Sequence, residues 1–530
     1  MKRLLSVLFT SFICTYTFSQ DRSIDVLHYQ FQVTLTDESD TIKGVAKIKM
    51  RYLKPTTQFS IDLKNISQGK GMHVTIISGP SLKSYTHADN KIKFILGKNY
   101  HTGDTAEFMI SYEGIPADGL IIAKNKYGRR TFFSDNWPNR AHNWLPCVDD
   151  VADKASVEFV ITAPHQYQVV SNGMQTEETN LPAGNKLTRW YETIPLPTKI
   201  MVIGVAEFAV QWAGNVDGIP VYSWVYPENK KDGFYDYAMA PDILQWFIKN
   251  VGPYAYSKLA NVQSKTIFGG MENASAIFYS ENSVTGDRNA EALIAHEIAH
   301  QWFGNMATEK SFAHIWLSEG FATYLTTLYM EQKYGEDTAR FLREEDRQKV
   351  IHFNMRSTMP VVDSLTHEYM DLLNANSYEK GGWILHMLRR QIGDSLFWKG
   401  IRQYYQTYAG KNADSRDAQN VFENVSGKKL DQFFHNWLYE KDQPHININW
   451  NYNPVSKTIT LDIQQMQKPI YQLPLEIEIK TRNGSSLHTL NLEKQKQTFE
   501  IPVKNQPTEI VSDPGINVLA TFTTRKSTDQ

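Results

Sequence analysis

Two histidines and a glutamate in the stretch AHEIAHQWFGN have the residue types and spacing of a metal site with its own base. His296 and His300 are four residues apart, so on a helix they project from one face, one turn apart. Their neutral imidazole nitrogens can bind one zinc ion, and Glu297 can reach a water molecule on that ion. The pattern fixes only three residue types, so a polar patch on an ordinary helix is the alternative.

A tetrahedral catalytic zinc site needs a third protein ligand and an open position for water. The segment WLSEGFATYL offers Glu319. Ser318 is a good N-cap that would place Glu319 in the first turn of a second helix, and Gly304 and Asn305 can turn the chain back. Glu319 could instead only complement the dipole of its own helix. The residues alone leave both interpretations open.

Further motifs stand in order on both sides of this pair. LPCVDDVADKASVEF begins at residue 145, GGMEN spans 269–273 and SYEKGG spans 377–382. The first resembles the Pro-Cys-x-Asp segment of the M1 metallopeptidases, the family of aminopeptidase N and leukotriene hydrolase. The second resembles their Gly-x-Met-Glu-Asn exopeptidase motif, and the third resembles the segment that carries their catalytic tyrosine. HEIAH, followed after eighteen residues by the Glu of WLSEGFA, resembles the zinc site of the same family.

The resemblance implies a zinc aminopeptidase that acts on peptides with a free N-terminus. One zinc ion per chain would be held by His296, His300 and Glu319. Glu297 would be the general base, and the Tyr378 hydroxyl would stabilise the oxyanion. The substrate would be bound by the exopeptidase motif, in which Glu272 pairs with the free α-amino group. The residues of this motif are Gly269, Gly270, Met271, Glu272 and Asn273.

The chain departs from the family pattern in two places. Many relatives have a Gln-containing stretch that contacts the first residue of the substrate, whereas this chain reads DNWPNRAHNWLP there. Asp135, Asn136 or Trp137 would have to replace that contact. Many relatives also end in a large helical domain, so this chain resembles the shorter three-domain members.

The period of the apolar residues divides the chain into three predicted domains, in a multidomain α+β fold. Residues 21–212 alternate with a period of two, as in LHYQFQVTL, which predicts an antiparallel β domain. Helical segments dominate residues 213–442, and the resemblance implies a thermolysin-like, mainly helical catalytic domain. Alternation returns in residues 443–525 and predicts a β-sandwich.

The first twenty residues have the pattern of a secretory signal peptide. Lys2 and Arg3 precede an apolar run that is too short to span a membrane, and cleavage is expected near Ser19 or Gln20. We therefore expect an exported protein, periplasmic or secreted. Cys147 is then the single cysteine of the mature chain, which excludes an intrachain disulfide, and its apolar surroundings favour a buried thiol.

The composition is that of a folded protein, with 41% hydrophobic and 21% charged residues. A formal net charge of -2 gives no electrostatic reason to expect nucleic acid as a partner, and no later segment is apolar enough to cross a membrane. The oligomeric state stays open. Two alternatives to the aminopeptidase are a zinc endopeptidase of the thermolysin kind and a binding protein on an inactive peptidase fold.

Overall fold

The computed structural model describes residues 22–527. The predicted signal peptide, residues 1–20 with its cleavage near Ser19 or Gln20, lies outside the described residues. Across residues 22–527, no helix combines the length and apolar character needed to cross a bilayer.

Residues 24–206 form the β-rich region that the alternating pattern predicts. In the first strand Tyr29, Phe31 and Val33 are buried while the polar residues between them face outward. The strands are β1 Ile24–Thr34, β2 Ile42–Tyr52, β3 Thr56–Asp62, β4 Gly71–Ser78, β5 Leu82–Ala88, β6 Lys91–Tyr100, β7 Thr105–Ile115, β8 Leu120–Lys124, β9 Arg130–Ser134, β10 Ala155–Pro164, β11 Gln168–Ser171, β12 Met174–Leu181, β13 Asn185–Leu196 and β14 Ile203–Ala206.

These strands form a seven-stranded sheet in the order β12-β13-β10-β1-β2-β7-β4 and two smaller sheets, β11-β14-β9-β8 and β3-β6-β5. The predicted antiparallel arrangement is wrong for one pair, because β1 and β10 run parallel from His28 opposite Ser156 to Thr34 opposite Thr162. More than 120 residues separate the two strands in sequence, so no hairpin dictates their direction.

The middle region combines helices with a sheet. Its elements are β15 Ala209–Val216, β16 Ile219–Val225, α1 Lys230–Tyr237, α2 Ala240–Asn250, β17 Leu259–Ser264, β18 Gly270–Met271, β19 Ala276–Ser280, α3 Glu291–His300, β20 Thr308–Glu309, α4 Trp316–Tyr334, α5 Glu336–Asn354, α6 Gly381–Ile392, α7 Asp394–Tyr408, β21 Asn412–Ala413, α8 Ser415–Ser426 and α9 Asp431–Leu438. Five strands make a mixed sheet in the order β15-β16-β17-β19-β18, which leaves β18 at its edge.

The division expected between residues 212 and 213 falls inside β15. This strand pairs with β16 from Ala209 opposite Val225 to Val216 opposite Ile219, so it belongs to the sheet of the middle region. The predicted boundary assigned only the first half of this strand, residues 209–212, to the preceding domain.

The C-terminal region is β-rich, and its two sheets lie in the order β26-β23-β22-β28 and β25-β24-β27. The sequence predicts a β-sandwich here from alternation such as that of LPLEIEIKT, in which Leu475, Ile477 and Ile479 are buried. Its strands are β22 His445–Asn453, β23 Thr458–Gln465, β24 Leu473–Thr481, β25 Gly484–Leu492, β26 Lys496–Pro502, β27 Pro507–Ser512 and β28 Thr521–Lys526.

Helices α4 and α6 approach closely at two glycines. A Cβ atom added at Gly320 would lie 2.7 Å from the backbone of Gly381, and one added at Gly381 would lie 2.9 Å from Gly320 Cα. Gly320 follows Glu319 directly, and Gly381 lies three residues after Tyr378. Because neither glycine has a side chain, the segments that carry Glu319 and Tyr378 can lie this close together.

We expect Gly381→Ala to destabilise the protein by about 1–3 kcal/mol, because the new methyl group would push two helix backbones apart. Gly382→Ala is the matched control, since its Cβ would lie 3.3 Å from the Thr323 side chain and no closer than 3.6 Å to backbone, at Tyr324 N. Both changes gain the same helix propensity. Denaturant unfolding measures the difference, and equal stabilities of the two variants would contradict the proposed close approach.

Candidate active site

The structure brings the three predicted metal ligands together. His296 Nε2 lies 3.0 Å from His300 Nε2, and both nitrogens face Glu319 Oε2, at 3.4 Å and 3.2 Å. The two histidines come from adjacent turns of α3, and Glu319 comes from the first turn of α4, which packs against α3. His300 and Glu319 are buried, and the three ligand atoms lie within 4.8 Å of one another.

The other ring nitrogen of His300 is held by the protein. His300 Nδ1 lies 3.1 Å from the Phe303 carbonyl oxygen and 3.1 Å from Ser318 Oγ. In the neutral imidazole that a metal requires, a bond from Nδ1–H to the carbonyl leaves the Nε2 lone pair directed at the other two ligands. The predicted N-cap role of Ser318 is wrong, because α4 begins at Trp316 and Ser318 lies inside its first turn.

The buried charges change the pKa values of all these groups. Burial lowers the pKa of His300, but Glu319, Glu272 and Glu297 outweigh it and raise the pKa to about 10. Burial raises the pKa of Glu319, but the two histidines hold it well below its usual value. In the metal-free protein the pair therefore exists as an imidazolium and a carboxylate. Burial lowers the pKa of His296.

Glu297, which follows His296 on α3, lies against the edge strand β18. Any Cβ atom at Gly270 would overlap the Glu297 carboxylate, so only glycine lets the strand lie this close to α3. Burial raises the pKa of Glu297 well above its usual value, and Glu272 and Glu319 raise it further against the effect of His300.

Glu272 is held against the end of α3 by two side-chain amides that the sequence analysis missed. Gln301 Nε2 and Asn305 Nδ2 donate to the Glu272 carbonyl oxygen at 2.8 Å and 2.7 Å. Glu272 is 5% exposed, and no partner among residues 22–527 forms a hydrogen bond with its Oε1. Burial raises the pKa of this carboxyl group. A buried carboxylate oxygen without a partner is suited to a cationic ligand.

Tyr378 lies in a π-helical turn, Asn376–Lys380, that leads into α6. Its ring stacks on His296, with the ring centroids 5.9 Å apart and an interplanar angle of 14°. Such turns interrupt the regular hydrogen-bond ladder of a helix and re-aim its side chains. Burial raises the pKa of the Tyr378 hydroxyl well above its usual value, with Glu319 and Glu272 adding to it, so the group keeps its proton.

A cavity of about 430 Å³ joins these groups. Its wall includes the candidate ligands, Glu297, Tyr378 and four residues of the exopeptidase motif, Gly269 to Glu272. Asn273 is fully buried behind the wall rather than in it. The wall also includes Trp137, which the sequence analysis names as a candidate substrate contact, and residues outside the quoted motifs, among them Phe268, Leu342 and Asp346.

The segment 135–137 contributes only its tryptophan to the cavity. Asp135 is buried and accepts hydrogen bonds from Thr266 Oγ1 and Ile267 N at 3.0 Å and 3.1 Å. Asn136 is also buried, and its amide nitrogen donates to the Met201 carbonyl oxygen at 2.6 Å. Both polar side chains are thus used to hold the protein together, and Trp137 alone lines the cavity.

The three candidate ligands fit a divalent transition metal. Two imidazole nitrogens and one carboxylate oxygen are the ligand types that catalytic zinc takes, and the fixed Nδ1 of His300 supplies the supporting hydrogen bond. A soft-metal or iron–sulfur site would need thiolates, and Cys147, the single cysteine in the described part of the chain, is buried elsewhere.

Comparison with known proteins agrees with this geometry. The family model described as "Peptidase family M1 domain" matches residues 235–437, which include the three candidate ligands, Glu297, Tyr378 and the segment 269–273. The model described as "Peptidase M1 N-terminal domain" matches residues 26–200. The chain belongs to peptidase family M1. Residues 201–234 and 438–530 of this M1 protein lie outside both matches.

Curated relatives of this M1 protein carry aminopeptidase names. "Probable aminopeptidase 2" of Sulfurisphaera tokodaii is 26% identical over 415 residues, which cover 74% of this chain and 52% of the relative. "Glutamyl aminopeptidase" of Homo sapiens is 27% identical over 468 residues, which cover 83% and 49%. "Probable aminopeptidase 1" of Saccharolobus solfataricus is 26% identical over 379 residues, which cover 68% and 47%. The chain spans about half the length of these relatives.

We expect zinc affinity to fall as the pH is lowered, by about tenfold per unit for each proton that binding releases. The reason is that the metal-free protein holds a proton on His300, whose pKa is about 10, and a metal ligand must be the neutral imidazole. Competition with a chromophoric chelator between pH 6 and 8 measures the affinity. Calorimetry in buffers of different ionisation enthalpy counts the protons.

Glu319→Gln should weaken this binding by orders of magnitude, because it removes the anionic ligand. His435→Ala, which changes an exposed histidine on α9, is the control and should bind zinc like the unchanged protein. A pH-independent affinity, or equal affinities of the two variants, would contradict the assignment.

Proposed function

We propose that this protein is a zinc-dependent aminopeptidase that hydrolyses the first peptide bond of peptides with a free N-terminus. One observation carries the proposal. The buried Glu272 Oε1, which has no protein partner in the described chain, lines the same cavity as the triad of His296, His300 and Glu319. A cationic amine paired with Glu272 would place the first peptide bond, and no later one, at the triad.

Glu297 would act as the general base. A zinc ion bound by His296, His300 and Glu319 would polarise the scissile carbonyl group and acidify water. Glu297 would take a proton from the attacking water and deliver it to the nitrogen of the departing amine. The zinc charge would also lower the pKa of Glu297, which burial raises, so that the carboxylate is available at neutral pH.

Tyr378 would stabilise the oxyanion. The raised pKa keeps its hydroxyl protonated, so it can donate a hydrogen bond to the oxygen that gains charge in the transition state. Its stacking on His296 fixes the ring beside the triad. A donor that meets more charge in the transition state than in the ground state lowers the barrier.

The exopeptidase motif would bind the substrate backbone. β18 is the edge of its sheet, so one side of the strand is open to pairing with an extended peptide. Gly269 and Gly270 have no side chains that would hinder this approach. The aminopeptidase names of the relatives support this substrate class.

We also propose that the protein is exported, because residues 1–20 have the pattern of a secretory signal peptide.

Glu297→Gln is expected to retain zinc and to lose kcat by about a thousandfold or more, because the amide cannot accept the proton. The amide has nearly the shape of the carboxylate, so the cavity should be preserved. Hydrolysis of leucine p-nitroanilide gives kcat, and metal analysis gives the zinc content. The exposed Glu345→Gln on α5 is the matched control. Near-normal turnover of Glu297→Gln would eliminate the general-base role.

Glu272→Gln should reduce kcat/KM for substrates with a free amino group by about a hundredfold, because the pairing of two opposite charges is lost in a buried site. A panel of amino-acid anilides with and without N-acetylation measures this effect. Equal losses on free and acetylated substrates would count against anchoring of the amine. Efficient cleavage of acetylated peptides by the unchanged enzyme would favour the endopeptidase alternative.

A further inference from the structure

The cavity extends from the triad toward the N-terminus of α3. This part of its wall is remote from Glu272 and is built by three helices. It is formed by residues one turn before His296 on α3, by residues one and two turns after Glu319 on α4, and by the side of α5 that faces them. The residues are Ala292, Leu293, Thr323, Thr327, Leu342 and Asp346.

The direction of a bound peptide follows from the position of β18, provided that Glu272 holds the amino group as proposed above. β18 runs alongside α3 in the same direction. A Cβ at Gly269 would lie 3.9 Å from Leu293, Gly270 lies against Glu297, and the Glu272 carbonyl is bonded to Gln301. A peptide that starts at Glu272 must therefore run back toward Leu293. The residue after the cleaved bond then lies in this part of the cavity.

Asp346 gives this part of the cavity a negative charge. Its side chain is 18% exposed, and its Oδ1 accepts a hydrogen bond from Lys349 Nζ at 3.2 Å. Lys349 also pairs with Glu379 at 3.3 Å, so these three side chains sum to one negative charge. Burial raises the pKa of Asp346 to about 6, which leaves it ionised above neutral pH. The Lys349 side chain is 56% exposed and does not line the cavity.

The remaining wall suits an aliphatic stem. Leu293 and Leu342 are apolar, and Thr323 and Thr327 present small side chains. Among the described residues that line the cavity, none is Lys or Arg. An acidic side chain would therefore meet repulsion from Asp346 and no compensating cation, whereas Lys or Arg has both the stem and the charge that this wall matches.

We propose that Asp346 makes the enzyme prefer peptides whose second residue is Lys or Arg. The stem of that residue packs against Leu293 and Leu342, and its charged end reaches the Asp346 carboxylate. Because the preference concerns the departing part of the peptide, it is independent of the first residue. Asp346 acts here as a specificity-determining residue for the proposed aminopeptidase reaction.

The test uses the full-length, zinc-loaded enzyme and tripeptide amides of the form Leu-Yaa-Gly, in which Yaa is Lys, Arg, norleucine or Glu. Norleucine has the stem of Lys without its charge. We expect kcat/KM to be about five- to tenfold higher for Lys and Arg than for norleucine, and lowest for Glu. Raising the salt concentration to about 0.5 M should reduce the difference, because it screens the charge pair.

Asp346→Asn should bring the ratio of Lys to norleucine close to one. Asp337→Asn, at an exposed carboxylate on the same helix, should keep the ratio of the unchanged enzyme. Equal rates for all four peptides in the unchanged enzyme would overturn the inference. This measurement needs no variant, so it decides the question even if Asp346→Asn fails to fold. Retention of the preference by a folded Asp346→Asn would also overturn it.

The outcomes separate this inference from the proposed function. If no free-amine peptide or anilide is cleaved by the zinc-loaded enzyme, the aminopeptidase proposal fails and this inference fails with it. If leucine p-nitroanilide is cleaved but the four tripeptides react equally, the aminopeptidase proposal stands and only the role of Asp346 is wrong.

Discussion

Three carboxylates, those of Glu272, Glu297 and Glu319, are buried around the imidazoles of His296 and His300. Taking an ionised carboxylate out of water costs several kcal/mol unless a nearby positive charge compensates for it. The protonated imidazole of His300 compensates for one of the three carboxylates. The pKa values of Glu272 and Glu297 therefore stay above their usual values. A divalent cation at the triad would supply the missing charge and keep Glu297 ionised, as a base must be.

The helices around the site hold these carboxylates and imidazoles at short distances from one another. Two adjacent turns of α3 carry the histidines, and the bare backbones at Gly320 and Gly381 allow α4 and α6 to approach closely. The amides of Gln301 and Asn305 tie Glu272 to the end of the same helix. Glu272, Glu297 and the two histidines are thus held on or against α3, and Glu319 faces them from α4.

The sequence predicted the parts of this site that local patterns encode. The four-residue spacing of the histidines requires only a helix, and alternation marked strands such as β1, β2 and β24 in the two β-rich regions. It did not predict β17, because Leu259–Ser264 is buried on both faces and does not alternate. The amides that hold Glu272 act across about thirty residues, and Asp346 reaches the cavity through the packing of α5 on α4 and on the turn that carries Tyr378. Such long-range contacts leave no periodic signal in the chain.

Everything proposed for the chemistry requires one metal ion bound by His296, His300 and Glu319. Anomalous diffraction from crystals of the zinc-loaded protein, collected on both sides of the zinc absorption edge, locates that ion directly. The account predicts a single strong peak at about 2 Å from both Nε2 atoms and from a Glu319 carboxylate oxygen. A peak elsewhere, or none at the triad in crystals grown with excess zinc, would contradict it.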